Sequence, residues 1–282
     1  MRSMLKTVPV LISLLLLMMM SGTARAQTDA ATAETLLRKS GLWVQLAGIA
    51  QQVRAGMAGG AAEQGATLTD AEAARLDRAV DTAYAAPRLR ASVLRRLVRE
   101  MPAMHVALVL AWHDSAVGRV ITRMEEVASV ADQDSDTMAQ EGARRLAAMS
   151  ESRRLLLERL MVESRAGEAL AGMTINTALG VQQGLRSMRP DAPGPNADEL
   201  RAVLQAQRPQ LERAFGTMAV AAFAQVYAEA SDEQLQAYLR FQETEAGRQF
   251  NRVMETAMDR MFLEAATELG RALPGTKDQA NV

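Results

Sequence analysis

The chain has 282 residues, a formal net charge of −1 and no cysteine. This charge balance gives no electrostatic reason to bind nucleic acid, and the lack of cysteine excludes disulfides and thiol chemistry. Because 49% of the residues are hydrophobic, the composition is that of a folded protein, and the chain is long enough to form a core without cross-links.

The segment 1–26 has the three parts of a cleavable secretory signal peptide. Arg2 and Lys6 give a positive start, residues 7–20 are apolar and uncharged, and Ala24-Arg25-Ala26 has the A-x-A form of a cleavage site. The apolar stretch is shorter than the ~20 residues that span a bilayer. We therefore expect cleavage after Ala26 and delivery to the periplasm or the exterior, with no membrane span afterwards.

Strong helix formers with apolar residues at helical spacing predict an all-α, multi-helix bundle. Local signals place its helix ends: Gly59-Gly60 as a stop, Pro87 and Pro102 in first turns, and Ser115 as a cap. Three further caps are Thr69 with Glu72, Asn196 with Glu199, and Ser231 with Gln234. We expect helices at about 31–57 (broken at Gly41), 70–85, 87–100, 102–113, 116–130, 137–163, 165–187, 208–229, 232–242 and 245–271.

The Pro- and Gly-rich residues 189–196 predict a linker. It would separate an N-terminal helical region at 27–188 from a C-terminal helical region at 197–273, which a polar tail at 274–282 follows.

Two shorter segments have tempting alternative readings. Residues 132–136 predict a polar hinge, because they lack the Gly and the terminal Glu of a calcium-binding loop. Gly180 and Gly184 have GxxxG spacing, but the stretch is too polar for a membrane dimer motif. We expect these glycines to allow close packing against a neighbouring helix.

The most informative pattern is an internal repeat at a fixed offset, which brings Trp112 into register with Phe241. Its first unit covers about 94–128, and both units contain an aromatic residue, an acid, a hydroxyl, a Gly and an Arg. The aromatic would anchor the end of one helix, the hydroxyl would cap the next, the Gly would allow close backbone approach, and the Arg would reach back. We assign the matched residues a structural role at two repeated corners: Trp112, Asp114, Ser115, Gly118 and Arg119 in the first, and Phe241, Glu243, Thr244, Gly247 and Arg248 in the second.

Residues 231–235 and 241–250 resemble the DUF2059 family of exported, mostly helical bacterial proteins of unknown function. The resemblance covers about 205–265 well and the first repeat unit more weakly, and residues 33–42 look like the opening of such proteins. This chain departs from the family in having Glu245 where Pro is common. The resemblance implies export and a helical fold, and it supplies no catalytic residue.

A search for chemistry identifies no catalytic, cofactor-binding or metal-ligating residue. His105 and His113 are two helical turns apart and are not expected to share an ion. His113 aligns with Gln242 in the repeat, which predicts a polar surface position, and the adjacent Glu125 and Glu126 are expected on a solvated face. The sequence contains no H-E-x-x-H, Walker, G-x-G-x-x-G or G-x-S-x-G motif.

These observations favour a non-catalytic binding or protein-interaction module of the cell envelope, with envelope proteins or an apolar ligand as partners. One alternative is a carrier or chaperone for an apolar ligand, which requires a contiguous apolar groove. A second is a hydrolase whose site is not recognisable from sequence, which requires a buried carboxylate cluster in a cleft.

The corner glycines generate a stability prediction. We expect Gly247→Leu to lower the free energy of unfolding by about 1–3 kcal/mol through overpacking, as measured by thermal or chemical denaturation. Unfolding that is unchanged from the wild type would show that Gly247 is not a close-packed position.

Overall fold

The structure of the protein, a computed structural model, describes residues 28–63, 69–129, 135–189 and 196–273. These ranges consist of helices joined by short corners and contain no strand, so the predicted all-α fold is confirmed. The helices are α1 Ala30–Lys39, α2 Leu42–Glu63, α3 Asp70–Ala83, α4 Ala86–Glu100, α5 Ala103–Asp114, α6 Ala116–Ser129, α7 Ser135–Ala148, α8 Glu151–Ser164, α9 Ala166–Met188, α10 Ala197–Val226, α11 Asp232–Gln242 and α12 Glu245–Ala272.

Side-chain caps define several helix starts as the sequence predicted. In each case the cap oxygen accepts from a backbone N–H three residues later, and the Glu or Gln at that position accepts from the N–H of the cap. The confirmed pairs are Thr69 with Glu72, Asn196 with Glu199, and Ser231 with Gln234.

Two predicted helix boundaries are wrong because glycine and proline disfavour a helix without always ending it. Helix α2 continues past Gly59 to Glu63, since a helical Gly costs only about 1 kcal/mol and Ala61-Ala62-Glu63 are good helix formers. Helix α10 runs through Pro209 without a break. Pro209 leaves the Gln205 carbonyl without its helical partner, but both residues are exposed, so water can bond to that carbonyl.

Two other boundaries also differ from the prediction. The single helix expected at 137–163 is two helices, because Ser150 caps a new helix by accepting from the Arg153 N–H. Pro102 is the N-cap of α5 rather than a first-turn residue, and Pro87 does lie in the first turn of α4.

The hydrophobic core is divided into two clusters that exchange a helix. The first is built from α1 to α5 and is completed by α12, which contributes Phe250 and Met261. The second is built from α8, α10 and α11 and is completed by Ile121 of α6. Ile121 and Phe250 are in register under the repeat offset, as Trp112 and Phe241 are. The last helix of each repeat unit therefore completes the core of the other unit.

A second sequence match, which brings Gly41 into register with Arg165, extends the repeat towards the N-terminus. Helices α1 and α8 are each followed by one of these residues at positive φ, Gly41 at 76° and Arg165 at 57°. The residues before these corners correspond as well: Glu34 with Glu158, Leu36 with Leu160, and Ser40 with Ser164. The α1–α2 pair is thus the counterpart of the α8–α9 pair, a relation that the first match alone does not reveal.

Helices α9 and α12 pack closely along their lengths, as the glycine spacing predicted. A Cβ on Gly180 would lie 2.7 Å from both the Ala266 Cβ and the Leu263 carbonyl oxygen, and one on Gly184 would overlap the Thr267 carbonyl oxygen. Because α9 precedes the predicted linker and α12 follows it, the helical regions on either side of the linker share this interface.

Several sequence predictions fall outside the described residues. They are the signal peptide, most of the 132–136 hinge, linker residues 190–195 and the tail from Pro274. Within the described ranges, no helix combines the length and apolarity needed to cross a bilayer.

Candidate functional site at the repeat corners

The two repeat corners have the same backbone design. Ser115 joins α5 to α6, and its Oγ accepts from the Gly118 N–H at 2.9 Å. Thr244 joins α11 to α12, and its Oγ1 accepts from the Gly247 N–H at 3.0 Å. In each corner the hydroxyl satisfies an N–H that has no partner in the first helical turn.

The corner glycines allow the preceding helix to approach closely. A Cβ on Gly118 would overlap the carbonyl oxygen of Trp112, and a Cβ on Gly247 would overlap that of Phe241. The matched aromatic and the matched glycine therefore belong to one structural feature. The helical turn that bears the aromatic ring packs directly against the glycine.

The matched acids and arginines make different contacts in the two corners. Asp114 pairs with Lys39 of α1, and Glu243 pairs with Arg159 of α8. Arg119 donates to the backbone carbonyl of Asp114, whereas Arg248 forms a two-pronged pair with Glu163 at 2.9 and 3.2 Å. Most of these side chains are largely exposed, so each pair contributes at most about 1 kcal/mol.

The aromatic residues of the two corners stack on each other. The Trp112 and Phe241 rings are 4.8 Å apart and within 4° of parallel, and Trp112 also stacks on Tyr238 at 5.8 Å. Ring contacts continue from Tyr238 through Tyr227 to Phe223. The contact between the repeat corners is thus part of one continuous row of rings.

The polar residues beside these rings are buried, so the predicted surface position of His113 is wrong. The His113 Nδ1 lies 3.0 Å from the Thr122 Oγ1, and the Gln242 Oε1 accepts from the Asn251 Nδ2 at 2.6 Å. Thr122 and Asn251 are also in register under the repeat offset, so the two bonds are counterparts. Burial lowers the pKa of His113 to about 4, and the imidazole is neutral at physiological pH.

Glu125 faces the interface between the units, so its predicted solvated position is also wrong. Its Oε1 accepts from the hydroxyls of Tyr227 at 2.7 Å and Tyr238 at 3.0 Å. Burial raises the pKa of Glu125 above its ordinary value, and the two tyrosine hydrogen bonds oppose that rise. Glu125 of the first unit is therefore bonded to two side chains of the second.

A second charged cluster lies at the α8–α9 corner and was not identified from sequence. The largely buried Glu255 accepts from the Arg165 Nε at 2.6 Å and lies 3.8 Å from Arg208. Burial also raises the pKa of Asp259, one turn away. At the counterpart corner, a Cβ on Gly41 would lie 3.1 Å from the Glu126 Cγ. Glu126 and Glu255 are in register under the repeat offset. The sequence did not indicate the ion pair, because Arg165 occupies the position that corresponds to Gly41 in the first unit.

The polar groups beside the aromatic rings bond residues of different helices to one another. The hydroxyls of Tyr227 and Tyr238 donate to Glu125. The imidazole of His113 is hydrogen-bonded to the hydroxyl of Thr122. Among the described residues, no group of His, Asp and Glu is placed to hold a metal ion. The hydrogen bonds of Glu125 with Tyr227 and Tyr238 best support a role in positioning the two units relative to each other.

The outer side of α5 is the other feature of interest. Helix α5 is apolar on nearly all sides, and Met104 and Leu108 are 69% and 55% exposed. Together with the exposed Ala107 and Ala111 they form one stripe, which we call the α5 outer face. The apolar composition of α5 is visible in the sequence. Periodicity alone, however, does not distinguish a helix with an exposed apolar face from a helix that is fully buried.

The surface beside α8 carries a shallow, open depression of about 250 Å³. Leu155 and Val162 contribute its apolar part, and four charged residues line the remainder: Glu158, Arg159, Glu163 and Glu243.

The position of Glu125 predicts a pH-dependent stability. Because its folded pKa is raised, its stabilising contribution is complete below the ordinary value of 4.5 and is lost as the pH rises through the folded pKa. We expect Glu125→Gln to remove this loss, so that the variant gains stability relative to the wild type as pH rises. Chemical denaturation of both proteins across the pH range measures the difference between their free energies of unfolding. The contributions of other titrating groups cancel in this difference.

The matched control is Glu126→Gln, which removes the neighbouring carboxylate without removing a tyrosine hydrogen-bond acceptor. Because the charge of Glu126 is the smallest of the four influences on the pKa of Glu125, the pH profile of this variant should stay close to that of the wild type. Parallel profiles for wild type and Glu125→Gln would contradict the assignment.

The ring stack predicts an energetic coupling between the two corners. A double-mutant cycle of Trp112→Ala and Phe241→Ala should give a coupling of about 0.5–1.5 kcal/mol in the free energy of unfolding. In the control cycle, Phe241→Ala is combined with Trp43→Ala, whose ring lies between Arg38 and Arg90. Equal coupling in the two cycles would show that the stack contributes nothing specific.

No model of a known protein family matches this chain, and searches of curated proteins and of solved structures find no match either. The resemblance to the DUF2059 family therefore stays a prediction from the residues.

Proposed function

We propose that the protein is an exported, non-catalytic interaction module of the cell envelope that docks a partner on the α5 outer face. Export is supported by the signal-peptide pattern of residues 1–26 and by the resemblance to the DUF2059 family. The docking role is carried by one observation, the exposed apolar stripe on α5.

The internal repeat shows that the fold itself does not require an apolar stripe at this position. The residues of α11 that correspond to the α5 outer face are Glu233, Gln236, Ala237 and Arg240. One scaffold thus presents the same helix face twice, polar in one copy and apolar in the other. Exposed apolar surface has a free-energy cost in water, and covering a side chain such as Leu108 regains up to about 1.5–3 kcal/mol.

The scaffold is suited to presenting a preformed surface. Trp112 lies in the last turn of α5 and stacks on Phe241 and Tyr238 of α11, and Val106 and Val109 anchor the inner side of α5 in the first core cluster. A helix that is held in this way loses little conformational entropy when a partner binds.

The carrier alternative finds less support. An apolar ligand needs an enclosed groove, whereas the depression beside α8 is shallow and open.

Photo-crosslinking in the native envelope tests the proposal. A photoreactive amino acid at Leu108 should give adducts of discrete mass in the periplasmic fraction, because this position would lie in the docked interface. The same group at Gln236, the exposed counterpart of Ala107 on α11, is the control and should give none. Adducts at neither position, or equally at both, would contradict a docking role for the α5 outer face.

A further inference from the structure

We infer that the α5 outer face pairs with the same face of a second copy of this chain. The two α5 helices lie antiparallel across a twofold axis that passes between Ala107 and Leu108. This inference rests on the proposed function and names the partner that the face fits.

Shape is the first argument, because large and small residues alternate along the stripe. Antiparallel pairing about this axis places Met104 opposite the partner's Ala111, while beside the axis Ala107 and Leu108 each face their own copy. Each Met104 side chain then enters the space beside an alanine, and the alanines allow the helix axes to approach to about 8 Å. A parallel pair would instead place Met104 opposite the partner's Met104.

Charge is the second argument, and it also favours the antiparallel arrangement. From Ala103 to Ala111 the helix carries no Asp, Glu, Lys or Arg, and its one histidine, His105, is buried. Asp114 at the C-terminal end, which pairs with Lys39 of its own chain, would lie beside the N-terminus of the partner's α5, where the helix dipole is positive. The exposed Arg99, which precedes α5 and pairs with Glu100 at 3.4 Å, lies near that same end.

The size of the face sets the strength of the association. The stripe is only about 10 Å long, and contacts much below ~1,000 Å² give weak or transient complexes. The dimer is therefore in equilibrium with the monomer and forms at high protein concentration or under local enrichment in the envelope.

Because the chain contains no cysteine, a single introduced thiol reports on one contact. Ala107→Cys lies beside the axis, within the ~4.4–6.8 Å Cα separation that a disulfide requires. Met104→Cys and Ala111→Cys are each displaced from their own copy by about 10 Å along the axis. We expect mild oxidation to cross-link Ala107→Cys alone, and Met104→Cys only when it is mixed with Ala111→Cys.

Gln236→Cys is the matched control, because it occupies the counterpart of position 107 on α11. It should remain at least tenfold less cross-linked than Ala107→Cys. Random collision would cross-link all three single variants to a similar extent: Ala107→Cys, unmixed Met104→Cys and Gln236→Cys. That result would overturn the inference.

Sedimentation velocity on the purified protein provides a non-covalent readout. From about 10 μM to 1 mM the mean mass should rise towards that of a dimer, a range chosen for the weak contact that so small an area implies. Leu108→Glu should weaken the association at least tenfold, and Met218→Glu, at an exposed site on α10, should leave it unchanged. Thermal unfolding checks that each variant is folded.

A wild-type protein that stays monomeric over the whole range would overturn the inference. If it also gave adducts of other proteins at Leu108 in the envelope, the docking role would stand with a different partner. If it instead bound phosphatidylcholine vesicles through Leu108, the face would be a lipid contact. A monomer with no adduct at Leu108 would remove both proposals.

Discussion

The structure depends on the exchange of one helix between two repeat units. Helix α12 fills the core formed by α1 to α5, while α6 supplies Ile121 to the core of the second unit. Phe250 and Met261 of α12, and Ile121 of α6, are buried in cores that contain residues of the other unit. Burial of apolar surface is the dominant favourable contribution to folding, so each core depends on a helix of the other unit.

The row of aromatic rings lies at the contact between the two units. The contacts of Trp112 with Phe241 and Tyr238 cross from one unit to the other, and the contacts among Phe223, Tyr227 and Tyr238 continue the row within the second unit. Glu125 adds hydrogen bonds across the same contact. A buried carboxyl group is costly without partners, and the two tyrosines of the second unit supply them to Glu125.

The sequence predicted features that rest on local chemistry. Ser231 and Gln234 cap α11 as expected, since a capping box needs only four consecutive residues. It did not predict that Glu125 is turned inward, because its tyrosine partners lie far away in the chain, in the other repeat unit. The passage of α10 through Pro209 likewise depends on exposure, a tertiary property. At the candidate site, the repeat identified Trp112 and Phe241 as counterparts, but their mutual contact required the fold.

The exchanged helices also bear on how such a protein could arise. A single ancestral unit, lacking a second unit in the same chain, would have to borrow its last helix from another molecule, as domain-swapped homodimers do. Joining two units in tandem makes the exchange intramolecular, so folding no longer depends on protein concentration. After such a fusion the two copies are free to diverge, since each surface occurs once per chain. The matched positions of this chain differ in this way on the outer faces of α11 and α5, and at Gly41 and Arg165 of the matching corners.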